Sequence, residues 1–192
     1  WDGTLRVTVY PVAVDKDPVT TRFVAGLDDD AFSDVTDFMA DEAARYGVRI
    51  DDPVSVRVSR AAREPPPDAP EHPGPISVAL WSLQLRYWAW QVAANDPLPP
   101  PDVQVFALYR TPDGARIAPD STGLRKGLVA VTHLFAGDDA AGSNDVVLTH
   151  EFLHTLGATD KYELRNGQPQ APAGLGDPAR DPLYPQETGE IM

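Results

Sequence analysis

Apolar and polar residues alternate near the start of the chain, where Leu5, Val7 and Val9 interleave with Arg6, Thr8 and Tyr10. This two-residue period predicts a strand with one buried face. From Asp30 to Tyr46 the period lengthens: Phe32, Val35, Phe38, Met39 and Ala43 fall on one side of a helix, with Gly47 as its stop. Val54, Val56 and Val58 alternate with Ser55, Arg57 and Ser59 and predict a second strand. Glu64 to Pro75 is dense in proline, whose ring fits neither a helix interior nor a central strand, so this stretch reads as a surface connection. A helix over Ile76 to Ala94 follows, with Leu80, Leu83, Tyr87 and Trp90 at helical spacing as its expected core-packing face.

Val103 to Tyr109 is almost continuously apolar, as a central strand covered on both faces must be. Leu128 to Phe135 predicts another strand. Ser143, Asn144 and Asp145 then offer N-cap side chains to an apolar run that opens at Val146, Val147 and Leu148 and reaches Leu156. Beyond Tyr162 the chain is irregular, with Pro169, Pro172, Pro178, Pro182 and Pro185 spread among glycines. Strand, helix, strand, helix, strand, strand, helix is the order of an α/β (α+β) fold, a mixed twisted sheet with helices packed on it.

Composition bounds this picture. With 192 residues and 42% hydrophobic content the chain can bury one sizeable core, so residues 1–192 are expected to form a single domain. Sixteen basic residues against 29 acidic ones give a net charge of -13, which argues against nucleic acid or an anionic membrane surface as partner. Gln84, Arg86 and Gln91 interrupt the longest apolar stretch, so no membrane segment is expected. The chain has no cysteine, hence no disulfide framework and no thiolate metal ligand, and its redox compartment stays open. It begins at Trp1, as a processed form or a fragment would. If a leader or anchor was removed, the protein works outside the cytoplasm, as an extracytoplasmic or secreted protein.

The candidate chemistry lies in the last predicted helix. His150 and His154 are four apart, which puts both imidazoles on one helical face within reach of a single ion. Glu151 flanks that ion without ligating it. Zinc hydrolysis needs this division of labour: three protein ligands, an open position for water and a nearby carboxylate to take the proton. Gly157 supplies a left-handed stop and a sharp turn, which brings Asp160 towards the imidazoles as third ligand. The plainer alternative is a buried helix with two satisfied core histidines and an exposed glutamate.

The run His150-Glu151-x-x-His154-x-x-Gly157-x-x-Asp160 resembles the elongated zinc signature of the metzincin metallopeptidases. It is similar to the snapalysin-type variant, in which aspartate replaces the usual third histidine. Those enzymes carry a tyrosine two residues after the aspartate, matched here by Tyr162, and a Met-turn, matched by Glu190-Ile191-Met192. The candidate Met-turn ends the chain, whereas metzincins continue into a further helix, so the domain is either shortened or lacks its tail. The resemblance implies an upper subdomain over residues 1–157 and a short irregular lower one over 158–192. It also implies that Val129 to Leu134 is the antiparallel edge strand lining the cleft, to which an extended protein or peptide substrate adds as a further strand.

These readings describe a zinc-dependent endopeptidase. Zinc on His150, His154 and Asp160 would acidify a water and polarise the scissile carbonyl, and Glu151 would act as general base. By resemblance, Tyr162 stabilises the oxyanion, or else simply packs beside the site, and Met192 supports the ligands from below. A gluzincin-type enzyme would instead draw its third ligand from Glu163, Glu187 or Glu190, in a stretch too rich in proline for much helix. A zinc-stabilised, non-catalytic binding module is the alternative of a different class, and an intact Glu151 argues against it. Calcium is a further candidate in the acidic loop Gly137 to Asp145, which matches no EF-hand spacing and reads more simply as a polar lead into the helix. His133 is expected to be a half-exposed strand residue.

Overall fold

The computed structural model describes residues 3–15, 17–72, 74–112, 121–124, 128–161 and 179–183. Strands β1 (Leu5–Ala13), β2 (Val54–Val58), β3 (Val103–Arg110), β4 (Thr122–Leu124) and β5 (Val129–Phe135) form a sheet in the order β2-β1-β3-β5-β4. The first four in that order run parallel, and β4 pairs antiparallel with β5 at the end of the sheet. The helices are α1 (Pro18–Gly26), α2 (Ser33–Arg45), α3 (Pro75–Ala94) and α4 (Ala141–Leu156). The architecture is mixed α/β, as the order of periodic segments predicts.

Topology explains why the helices sit where they do. The chain steps outward from β1 to β2 and then crosses back over β1 to β3. Right-handed crossovers taken in opposite directions place their helices on opposite faces of a parallel sheet. Val24 of α1 and Val35 and Met39 of α2 accordingly pack with Val7, Val9, Val105 and Ala107 on one face. Leu85 and Ala89 of α3 pack with Tyr10, Val12, Phe106 and Leu108 on the other. Helix α4 returns to the first face through Leu148 and Phe152. Both faces of β3 are thus covered, which is why that strand reads as an unbroken apolar run.

The fold corrects three expectations and adds one helix. Val129 to Leu134 is not the antiparallel edge: β5 runs parallel to β3, and among the described residues the antiparallel edge is the three-residue β4, which pairs with Val129–Val131. The face of α3 is also reversed. Leu80, Leu83, Tyr87 and Trp90 point to solvent, while Leu85 and Ala89, flanked by Trp81, Trp88 and Val92, face the sheet. A helix apolar all round carries no periodic signal that selects its buried side. Helix α1 was not anticipated, although Asp17 caps it by accepting from the Val19 N–H at 2.7 Å and Pro18 occupies its first turn. The α4 helix, finally, starts at Ala141 with no side-chain cap, so the Ser143, Asn144 and Asp145 caps do not form.

No helix among the described residues is long and apolar enough to cross a membrane. Of the expected lower subdomain, residues 158–161 and 179–183 are described. Tyr162, Glu163, Glu187, Glu190 and the candidate Met-turn at Met192 lie outside the described residues.

Candidate metal centre

Helix α4 is fixed before it presents any ligand. Leu148 and Phe152 anchor its apolar face in the core, each 1% exposed. Asn144 clamps its first turns to β5: its side-chain amide donates to the Phe135 carbonyl at 2.8 Å and accepts from the Phe135 N–H at 3.1 Å. A strand-to-helix bond pair of this kind sets both the height and the rotation of α4. The sequence signals only a polar residue near a helix start, and an N-cap is the ordinary meaning of that signal. Thr155, for which sequence reading gives no role, is buried and donates back to the Phe152 carbonyl at 2.6 Å.

The C-terminal end of α4 forms the other half of the site. Gly157 takes the left-handed conformation, at φ 102° and ψ 12°, a region open to glycine and strained for residues with a Cβ. Its N–H donates to the His154 carbonyl at 3.0 Å, and the Ala158 N–H donates to the Leu153 carbonyl at 3.1 Å. This paired closure is a Schellman turn. It sends the chain back along the helix end and delivers Asp160 to the histidines.

Three potential ligand atoms then converge. His150 Nε2 and His154 Nε2 lie 3.0 Å apart, and Asp160 Oδ1 lies 3.3 Å and 3.2 Å from them. The two imidazoles meet nearly edge to face, at 84°. His154 Nδ1–H donates to the Ala158 carbonyl at 3.1 Å. In a neutral ring that bond leaves Nε2 with its lone pair directed at the other two atoms. The Schellman turn thus both carries Asp160 and orients His154. Glu151 is buried at 7% exposure, and its carboxylate belongs to the His150, Glu151, His154 group whose ligand atoms lie within 4.8 Å of one another.

The donor set fits a metal ion. Tetrahedral ligands held ~2.0–2.1 Å from zinc stand about 3.3 Å from each other, and the observed edges are 3.0, 3.2 and 3.3 Å. Two neutral imidazoles and a carboxylate are acceptors in their ligating states, and a cation relieves their mutual repulsion. His150, Glu151 and His154 form a group positioned to bind a metal ion, and Asp160 Oδ1 stands at ligand-to-ligand distance from the two imidazoles. Among the described residues, the carboxylates of the Gly137 to Asp145 loop do not gather into a second such group; Asp138 and Asp139 open a short 3-10 turn instead.

Other polar residues near the site have separate duties. Burial pushes the Asp145 carboxyl up to about 6, with the Asp34 charge adding to the rise. Burial also raises the Tyr109 hydroxyl, and Asp145 contributes. His133 is half-buried on β5 and accepts from Arg110 Nη2 at 3.4 Å. It lines a cavity of about 290 Å³ with Pro65, Trp81 and Arg110, on the α3 side of the sheet and away from the His150 and His154 pair. No protein-family model matches the chain, and no curated protein matches it significantly.

Proposed function

We propose that the chain is a zinc-dependent endopeptidase of metzincin type, with His150, His154 and Asp160 as zinc ligands and Glu151 as general base. The observation that carries this reading is the convergence of His150 Nε2, His154 Nε2 and Asp160 Oδ1 at 3.0–3.3 Å with Glu151 buried beside them. Bound zinc supplies Lewis acidity, which lowers the pKa of a water towards ~7 and polarises the scissile carbonyl. The chain's own residues do the rest. The Ala158 carbonyl holds the His154 ring in the tautomer that leaves Nε2 unprotonated. Glu151, itself buried, accepts the proton of the attacking water and returns it to the leaving amine. Asp160 contributes one negative charge and leaves room for water and substrate, as a three-ligand catalytic site requires.

The substrate of this reading is a polypeptide bound in extended form. Among the described residues β4 is the last strand of the sheet, and its outer edge is where such a segment would add as a further strand. That role passes to β4 from Val129 to Leu134, which pairs with β3 along its length and with β4 over Val129–Val131.

The test separates catalysis from binding. Metal content is measured by mass spectrometry and hydrolysis on a denatured protein and a fluorogenic peptide library, for the protein and for Glu151→Gln. Expected is full zinc retention in the variant, with hydrolysis reduced about 10²–10⁴-fold. Undiminished hydrolysis by Glu151→Gln removes the role given to Glu151. Stoichiometric zinc with no turnover by the unaltered protein favours the zinc-stabilised binding module.

A further inference from the structure

Helix α3 carries two apolar stripes, and the sheet uses one. Trp81, Leu85, Trp88 and Val92 face the core. Ile76, Leu80, Leu83, Tyr87 and Trp90 form the other stripe, each between 59% and 77% exposed. Their spacing of four, three, four and three residues is the heptad seam through which one helix packs on another. The seam spans about 21 Å of helix.

We propose that this stripe is a homodimer interface, in which α3 of one copy packs antiparallel on α3 of a second copy across a two-fold axis at Leu83. Four observations select that occupant. The seam is centred on Leu83, so an antiparallel partner lays the aliphatic end, Ile76 and Leu80, against the aromatic end, Tyr87 and Trp90. Small then meets large on both sides of the Leu83 pair, whereas a parallel pair would set Trp90 against Trp90. The aromatic end is already ordered, with Tyr87 and Trp90 stacked at 5.9 Å and Gln91 Nε2 donating to the Tyr87 hydroxyl at 3.4 Å. Charge is almost absent: Arg86 is the one charged residue among the twenty of α3, in a chain that is 23% charged. Its Nε donates to the Ser82 carbonyl, within the helix. Depletion of acidic residues and lysine with enrichment of tryptophan and tyrosine is the composition of an interface core. It also allows two copies of a chain of net charge -13 to meet without like charges at the seam.

The area suffices. The five side chains expose on the order of 600 Å² per copy, so complete burial of the stripe covers about 1,200 Å² in total and reaches the lower bound for a specific interface. Two heptads are too few for an isolated coiled coil, but α3 is held folded by the sheet and loses little entropy on pairing. Because α3 and α4 occupy opposite faces of the sheet, the dimer leaves both candidate metal centres facing outward. The proposal stands independently of the chemistry at those centres.

Sedimentation velocity over the micromolar range tests it on the whole chain. Expected is a species of twice the 20.8 kDa chain mass that returns to monomer in Leu83→Arg, with an unchanged circular dichroism spectrum. The chain has no cysteine, so single-cysteine variants report geometry directly and remain informative if Leu83→Arg misfolds. Leu83→Cys, at the axis, is expected to form a disulfide-linked dimer in high yield, and Ile76→Cys to form none. An unaltered chain that stays monomeric, or a dimer that persists in Leu83→Arg, overturns the proposal. Cross-linking at Ile76→Cys overturns the antiparallel arrangement. A monomer that instead co-sediments with phosphatidylcholine vesicles assigns the stripe to a lipid surface and overturns it too.

Discussion

At Asp145 burial holds the carboxyl proton up to about pH 6, with Asp34 reinforcing the shift. In the unfolded chain the same group releases its proton near its usual 3.8. Between those values the native state binds more proton than the unfolded state, so stability falls as pH rises from about 4 to 6 and stays lower above. Replacing the charge removes that slope. Asp145→Asn is expected to be more stable than the unaltered protein above pH 6, by about 1–2 kcal/mol after allowing for solvent screening at a partly exposed site. Below pH 4 the two should converge. Urea unfolding at a series of pH values checks this, and parallel curves across the window would show that Asp145 is not strained. Residues that hold ligands behave differently from residues that carry charge. Gly157 acts through its backbone, and its left-handed conformation decides where Asp160 arrives.

At the scale of elements, α4 depends on one side chain for its seat. Asn144→Ala removes both bonds to Phe135 and leaves that backbone pair with neither partner. The expected cost is about 2–3 kcal/mol of unfolding free energy, read from urea denaturation, and a loss below 0.5 kcal/mol would show that the clamp does not hold the helix. The same helix shows what sequence makes legible. Its ligands, its apolar run and its glycine stop are all local signals, and their geometry follows from helix periodicity and turn chemistry. Strands β1, β2, β3 and β5 were legible for the same reason. Helix α1 was not, since Thr20 and Val24 are its buried residues and two positions make no stripe. Strand β4 spans three residues, too few to show a period. On α3 local pattern fails in principle, because two apolar stripes compete and tertiary packing alone chooses between Leu85 and Leu83. The Asn144 clamp is illegible for a related reason: its partner, Phe135, belongs to a different element.

For the molecule as a whole, a metal that binds the native state alone adds its binding free energy to stability. Zinc at about a hundred times its dissociation constant contributes ~2.7 kcal/mol. For a chain of this size that raises Tm by on the order of 5–10 °C. Differential scanning calorimetry with zinc and with excess chelator measures the difference, and identical transitions would mean that the native state offers zinc no site. The shift should shrink in Asp160→Ala, because the proposed ligand set then loses its one anionic member while the α4 scaffold stays intact.

The turn at Gly157 has a consequence for how the centre comes into being. The three ligands proposed above, His150, His154 and Asp160, all lie between α4 and the residues just after its C-terminal turn, so they are close to one another in sequence. Closing so short a loop costs little entropy, and cost rises only slowly with length. Ion capture by this segment therefore need not await assembly of the sheet, whose partners are separated by long crossovers. The proposed centre is a local cassette whose rigidity comes from elsewhere, through Phe152 in the core and the bond from Asn144 to Phe135 of β5.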